Sequence, residues 1–140
     1  MISDYLHEGF TSLIDKQSIH TIVECGSRDG LDTIALLEYF EPDVIYTFEC
    51  NPQSIPVCLG NIEGHEKIQF IGAAVTNVDE KVKFYPTDTT KDDNIGASSL
   101  FKHLWGFPQT ETEVWGMRLD TFMQEYDVDH IDLLCMDIQG

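Results

Sequence analysis

The sequence predicts an α/β fold of Rossmann-like type, a mostly parallel sheet with helices on both faces, in one domain over residues 1–140. Three observations carry that prediction. Short apolar runs of strand length, at Thr21–Cys25, Val44–Phe48 and Ile68–Ile71, alternate with segments of helical length, and parallel pairing of such strands needs a crossover helix between them. A glycine turn, Glu24-Cys25-Gly26-Ser27-Arg28-Asp29-Gly30, joins the first run to the first crossover. An acid, Glu49, closes the second run about 20 residues after Gly30, the offset at which doubly wound sheets place a carboxylate on a ribose.

The elements follow in order. Ser3 is placed to cap an opening helix whose apolar Leu6, Phe10, Leu13 and Ile14 share one face and cover the sheet. After the first strand, 31–40 reads as a helix with Asp29 near its N-terminus and Pro42 just past its end. The helix after Asn51-Pro52 is expected to be short, with Pro56 in its first turn, because Pro and Gly60 both disfavour a long one. The third strand leads into Gly72-Ala73-Ala74-Val75, and 81–85 alternates as a fourth, added strand. The polar stretch 87–94 reads as an exposed loop, Ser98-Ser99-Leu100 and 114–119 as short extended pieces, and 121–126 as a helical turn. Residues 131–136 form a buried strand that ends at Asp137.

Composition narrows the function. With 25 acidic and 8 basic residues the formal charge is -17, which excludes a nucleic-acid backbone as partner, since that binding relies on clustered Lys and Arg. The acidity is read as a solubilising surface. No basic leader and no apolar run of membrane-spanning length stand in the sequence, so a soluble, cytoplasmic protein without a membrane partner is expected. The four cysteines, Cys25, Cys50, Cys58 and Cys135, make no Cys-x-x-Cys pair and sit in apolar segments, as reduced, buried thiols do; no metal is expected.

The turn selects the ligand. A dinucleotide fingerprint needs Gly-x-Gly-x-x-Gly to approach a pyrophosphate, whereas here Ser27 and Arg28 occupy the middle and an acid stands two before Gly26. A nicotinamide-dependent oxidoreductase is therefore disfavoured. Glu24, with Gly26, Ser27, Asp29 and Gly30, suits a cationic, hydroxyl-rich ligand such as S-adenosylmethionine, which carries an ammonium, a sulfonium and a ribose diol. Glu49 is assigned to the ribose, and Asn51 either joins it or caps the following helix. Asp137, at the carboxyl end of its strand, can orient the methionine moiety, bind substrate, or take a proton from an incoming hydroxyl. Among the histidines, His103 follows a binding-loop candidate, and His130 precedes its strand and so belongs at the opposite end of the sheet. Asp88, Asp92 and Asp93 read as a solvated loop rather than a cation site.

Taken together, Val23-Glu24-Cys25-Gly26-Ser27-Arg28-Asp29-Gly30, Tyr46-Thr47-Phe48-Glu49-Cys50-Asn51-Pro52, Ala73-Ala74-Val75, Ser98-Ser99-Leu100, Arg118-Leu119-Asp120-Thr121 and Met136-Asp137-Ile138-Gln139-Gly140 resemble the successive motifs of FkbM-type methyltransferases. The resemblance spans about residues 20 to 140 and implies a class I, S-adenosylmethionine-dependent fold that transfers methyl to a hydroxyl of a small metabolite or sugar. It implies that Glu24 and Gly26 contact the methionine end, Glu49 the ribose, and Ala73-Ala74 the adenine. Cys25, Ser27 and Arg28 depart from the small or Asn residues commoner in that turn. Because the family continues past this point with further strands, the sequence is expected to hold the cofactor half of the sheet, with its terminal strand an edge open to self-association. The alternative reading is a non-catalytic module that keeps the fold and acts through protein–protein association.

Overall fold

The computed structural model describes residues 4–138. Its main sheet has four strands, β1 (Thr21–Cys25), β2 (Val44–Phe48), β3 (Ile68–Ile71) and β7 (Leu133–Met136), all parallel in the order β3-β2-β1-β7. Parallel strands are covered on both faces and so carry continuous rather than alternating apolar residues, which is why β1 is buried along nearly its whole length. On one face, Ile22 and Ile45 meet Leu36 and Phe40 of α2 (Leu31–Phe40), and α3 (Ile55–Ile62) packs Cys58 and Ile62 beside them. On the other, Val23, Cys25 and Phe48 meet Phe122 of α4 (Leu119–Glu125).

Phe122 is the centre of that second core. It is fully buried, and its ring stands edge-on to Phe48 at 5.1 Å and to Tyr46 at 5.0 Å. Burying such a side chain is worth up to about 3 kcal/mol, and each edge-on pair adds roughly 0.5–1.5 kcal/mol. These contacts fix α4 on the sheet.

A second, three-stranded sheet in the order β4-β6-β5 flanks the first. Here β4 (Ala74–Val75) runs parallel to β6 (Thr112–Met117), and β5 (Lys81–Phe84) runs antiparallel to it. The added strand expected at 81–85 therefore joins β6 rather than extending the main sheet. Gly116 in β6 is required by close packing, since a Cβ there would lie 2.5 Å from the Thr76 methyl and 2.9 Å from the Glu80 carbonyl oxygen.

The amino-terminal segment corrects the sequence reading. In place of one amphipathic helix there are a 3-10 turn at Asp4–Leu6, a single α-turn, α1 (Glu8–Thr11), and another 3-10 turn at Lys16–Ser18. His7, not Ser3, caps α1 by accepting from Gly9 N, while Ser3 lies outside the described residues. Tyr5, Leu6 and Ile14 do cover the core, but Phe10 and Leu13 face solvent. The last strand is also shorter than expected and only half buried, with Leu134 and Met136 exposed on the edge of the sheet. Thr87, at the start of the expected exposed loop, is fully buried and donates to the Asn94 carbonyl at 2.7 Å. Among the described residues no helix is long and apolar enough to cross a membrane.

Candidate functional site

The carboxyl ends of β1, β2 and β7 meet at one edge of the sheet, where a cavity of about 400 Å³ opens. Its floor is the glycine turn, and most of the turn's backbone donors are already used. Gly26 N and Ser27 N both donate to the Phe48 carbonyl (2.9 and 3.0 Å), Gly30 N to that of Ser27 (2.8 Å), Arg28 N to Glu49 and Leu31 N to the Asp29 carboxylate. A pyrophosphate cradle needs such N–H groups aimed at the ligand, and this turn turns them inward.

The two glycines serve packing. Gly26 lines the cavity at φ +89°, and a Cβ there would collide with the backbone carbonyl of Asp137, so glycine is also required by close approach of the residue that follows β7. Gly30, at φ +79°, lets α2 approach α3: a Cβ there would lie 2.8 Å from Ile62 and 3.2 Å from the Cys58 sulfur. Gly30 and Asp29 do not line the cavity; Asp29 caps the start of α2 through Leu31 N, and its carbonyl accepts from Asn61 Nδ2 at 2.8 Å.

Glu24 is placed differently from the sequence expectation. Its side chain lies on the α2 face of β1, is 1% exposed and does not line the cavity. The hydroxyls of Thr33 on α2 and Thr47 on β2 donate to its Oε2, the latter at 3.0 Å, while Oε1 is buried without a hydrogen-bond partner among the described residues. Burial pushes its carboxyl up to about 7 against the lowering effect of the two threonines. It holds the framework behind the turn.

Glu49 is the carboxylate inside the site. It lines the cavity at the end of β2, with Oε2 accepting from Arg28 N and Oε1 from Asn51 N, each at 2.7 Å. Burial raises its pKa, and backbone N–H groups of Asn51, Arg28 and Cys50 oppose that rise. Each oxygen keeps a further lone pair for a ligand hydroxyl, since an ionised carboxylate offers about four acceptor sites. Asn51 also lines the cavity, but its side chain is committed: Oδ1 accepts from Gln53 N at 3.0 Å, capping the turn before α3, and Nδ2 donates to Ser98 Oγ at 3.1 Å.

That last bond shows what the sequence reading missed. Ser98 is the keystone of a roof over the cavity: its hydroxyl also accepts from Thr87 N (3.0 Å) and donates to Ile95 O (2.7 Å). Phe84, Ile95, Leu100, Ala73, Ala74 and Val75 give the cavity its apolar lining, with Ala74, Phe84 and Leu100 packed in one cluster. Asp4 and Asp32 line the cavity as well, as does Asp137, whose N–H donates to Cys25 O at 3.0 Å. Asp32, in the first turn of α2 and two residues after Gly30, could have been found from its nearness to the glycine turn; Asp4 could not, because the segment that carries it was expected to be a covering helix.

The remaining candidates lie elsewhere. His103 bonds through Nε2 to the Ala97 carbonyl at 2.9 Å and stacks edge-on with Phe107, outside the cavity. His130 pairs with Asp132 at the far end of β7. Asp88 and Asp92 bond within their own turn, to Thr90 and Asn94. Burial pushes the Cys25, Cys50 and Cys135 thiols up to about 12, which makes them poor nucleophiles.

The cavity thus joins four carboxylates, apolar lining and a turn whose backbone donors mostly point inward, at the carboxyl ends of a Rossmann-like parallel sheet. These features define a class I methyltransferase fold. The chain belongs to the FkbM methyltransferase domain family, whose model matches residues 24–140. It is also similar to the 2-O-methyltransferase NoeI of Sinorhizobium fredii (strain NBRC 101917 / NGR234), with 24% identity over 144 residues. That alignment covers 96% of this chain and 59% of NoeI, so the chain spans somewhat over half the length of this relative. No solved structure matches it.

Proposed function

We propose that the chain binds S-adenosylmethionine in this cavity and serves transfer of its methyl group to a hydroxyl of a small acceptor. The observation that carries the reading is Glu49, a buried carboxylate in the cavity that accepts from backbone N–H groups, Arg28 and Asn51 foremost, and keeps acceptor capacity for a ligand hydroxyl. Two vicinal hydroxyls match it. The acidic lining suits a cationic ligand, and the apolar lining from Ala73, Ala74, Val75, Phe84 and Leu100 suits a flat apolar base. The family and the name of the NoeI relative, a 2-O-methyltransferase, agree with a hydroxyl acceptor.

The bound cofactor supplies an electrophilic methyl on a sulfonium. This chain's residues position it: Glu49 fixes the ribose, and Asn51 with Ser98 holds floor and roof together so that the cavity keeps its shape. Asp137, exposed at the end of β7 where it lines the cavity, takes the proton that the acceptor hydroxyl gives up as its oxygen gains the methyl group.

Calorimetry tests the reading directly. The folded chain is expected to bind S-adenosylmethionine and its demethylated product, and Glu49→Ala to weaken both by about tenfold or more, the scale of losing hydrogen bonds to a charged group. A folded sample that binds neither would rule the reading out.

A further inference from the structure

Ser98, Ser99 and Leu100 line the cavity, and the chain runs straight on from them into Phe101-Lys102-His103-Leu104-Trp105-Gly106-Phe107. Leu104 and Trp105 are the two most exposed large apolar side chains among the described residues, at 92% and 96%, and Phe101 is exposed as well. The arm that presents them is braced. Antiparallel bridges pair Ser99 with Tyr85 and Gln109 with Thr87, which pins both of its limbs to one stretch of chain. The Gln109 side chain accepts from His103 N at 2.9 Å and donates to Tyr85 O at 3.1 Å, and the His103 ring bonds the Ala97 carbonyl and stands edge-on to Phe107. A braced loop presents its tip with less ordering left to do on binding, as a recognition surface requires.

Charge sets this arm apart from the rest of the molecule. The chain carries 25 acidic residues, yet none lies between Asp93 and Glu111, where Lys102 is the only Lys or Arg. The acidic cavity suits a cation, whereas the acid-free arm suits an uncharged apolar group that removes Leu104 and Trp105 from water. We propose that Leu104 and Trp105 hold an apolar portion of the methyl acceptor, which is therefore an amphiphile: its hydroxyl enters the cavity while its alkyl or ring portion lies along the arm. Trp105 stands five residues beyond Leu100, so the two ends of such an acceptor are separated by no more than about 18 Å, the length of that chain fully extended. This inference rests on the cofactor reading above and adds to it the chemical class of the acceptor.

Three probes below their micelle-forming concentrations, added to the intact chain saturated with S-adenosylhomocysteine, test it: octyl glucoside, methyl glucoside with the same head and no tail, and an octyl sulfobetaine with the same tail and no hydroxyl. The chain has two tryptophans, so Trp115→Phe leaves Trp105 as the sole indole reporter. Octyl glucoside is expected to shift Trp105 emission to the blue in a saturable way, and the other two probes to bind at least about tenfold more weakly. Because both tip residues are exposed, Trp105→Ala and Leu104→Ser leave the fold intact, and each is expected to weaken octyl glucoside in calorimetry by roughly tenfold while leaving S-adenosylhomocysteine within about twofold. If S-adenosylhomocysteine binds but octyl glucoside does not, or binds no better than the sulfobetaine, the inference is overturned and the cofactor reading stands. It is equally overturned if the tip substitutions change only self-association in sedimentation or only binding to phosphatidylcholine vesicles, which would assign the arm to a second copy or to a membrane. If the folded chain binds neither S-adenosylmethionine nor S-adenosylhomocysteine, the cofactor reading falls and takes the inference with it.

Discussion

Glu24 and Glu49 look alike in the sequence, each an acid closing an apolar strand, yet the structure gives them opposite work. Side-chain alternation decides it: Glu24 points to the α2 face, where Thr33 and Thr47 bond it, whereas Glu49 reaches past the end of β2 into the cavity. The difference was not readable, because it depends on which face the second layer covers and on how far past the strand end the side chain extends. The pH consequence belongs to this residue. Its folded-state pKa near 7 stands above the ordinary 4.5, so between those values the folded chain keeps a proton that the unfolded chain has lost. Stability from this group is therefore fully present below about pH 4.5 and declines as pH rises through 7, by about 3 kcal/mol in all. Melting temperature measured from pH 5 to pH 8 should fall in the native chain and fall less steeply in Glu24→Gln, which cannot ionise. Parallel curves would remove Glu24 as the cause. Glu49 shifts in the same direction and Asp132, held low by the His20 and Thr21 N–H groups, in the opposite one, so the comparison with Glu24→Gln is what isolates the group.

At the scale of elements, what the sequence made legible was local. The runs at β1, β2 and β3, the helix 31–40 and the short helix with its early Pro56 all stand where apolar runs and Pro/Gly punctuation put them. What it hid was long-range. Nothing in 81–85 says that its partner is β6 rather than the main sheet, and Ser98 becomes a roof residue only through partners as distant as Asn51. The opening segment misled because Phe10 and Leu13 keep helical spacing with Leu6 yet are exposed among the described residues. The helix α4 shows the reverse: a short, unremarkable sequence whose place is set by one side chain. Phe122→Ala should cost about 3–5 kcal/mol in denaturant unfolding, the range for emptying a buried aromatic site. A loss below about 1 kcal/mol would mean that α4 repacks and that Phe122 does not anchor it.

The whole molecule combines a high charge with an open edge. Among the described residues β7 pairs only with β1, and Leu134 and Met136 are exposed along it, so an unused row of backbone groups and an apolar strip lie together. A formal charge of -17 opposes association of two copies through that edge. Salt shortens the reach of the repulsion to about 3 Å at 1 M. Sedimentation is therefore expected to show concentration-dependent association that strengthens with salt and disappears in Leu134→Lys; a monomer at every salt concentration would refute it. The same strand carries a consequence for how the chain is made. Asp137 N donates to Cys25 O, and its carbonyl fills the space that the missing side chain of Gly26 leaves. The turn at Gly26 is braced by a residue encoded more than a hundred positions later, so a ribosome must deliver residue 137 before residue 26 can settle. The site's floor is thus completed late relative to β1, β2 and β3, and nascent chains that stop short of β7 should emerge with that floor unbraced.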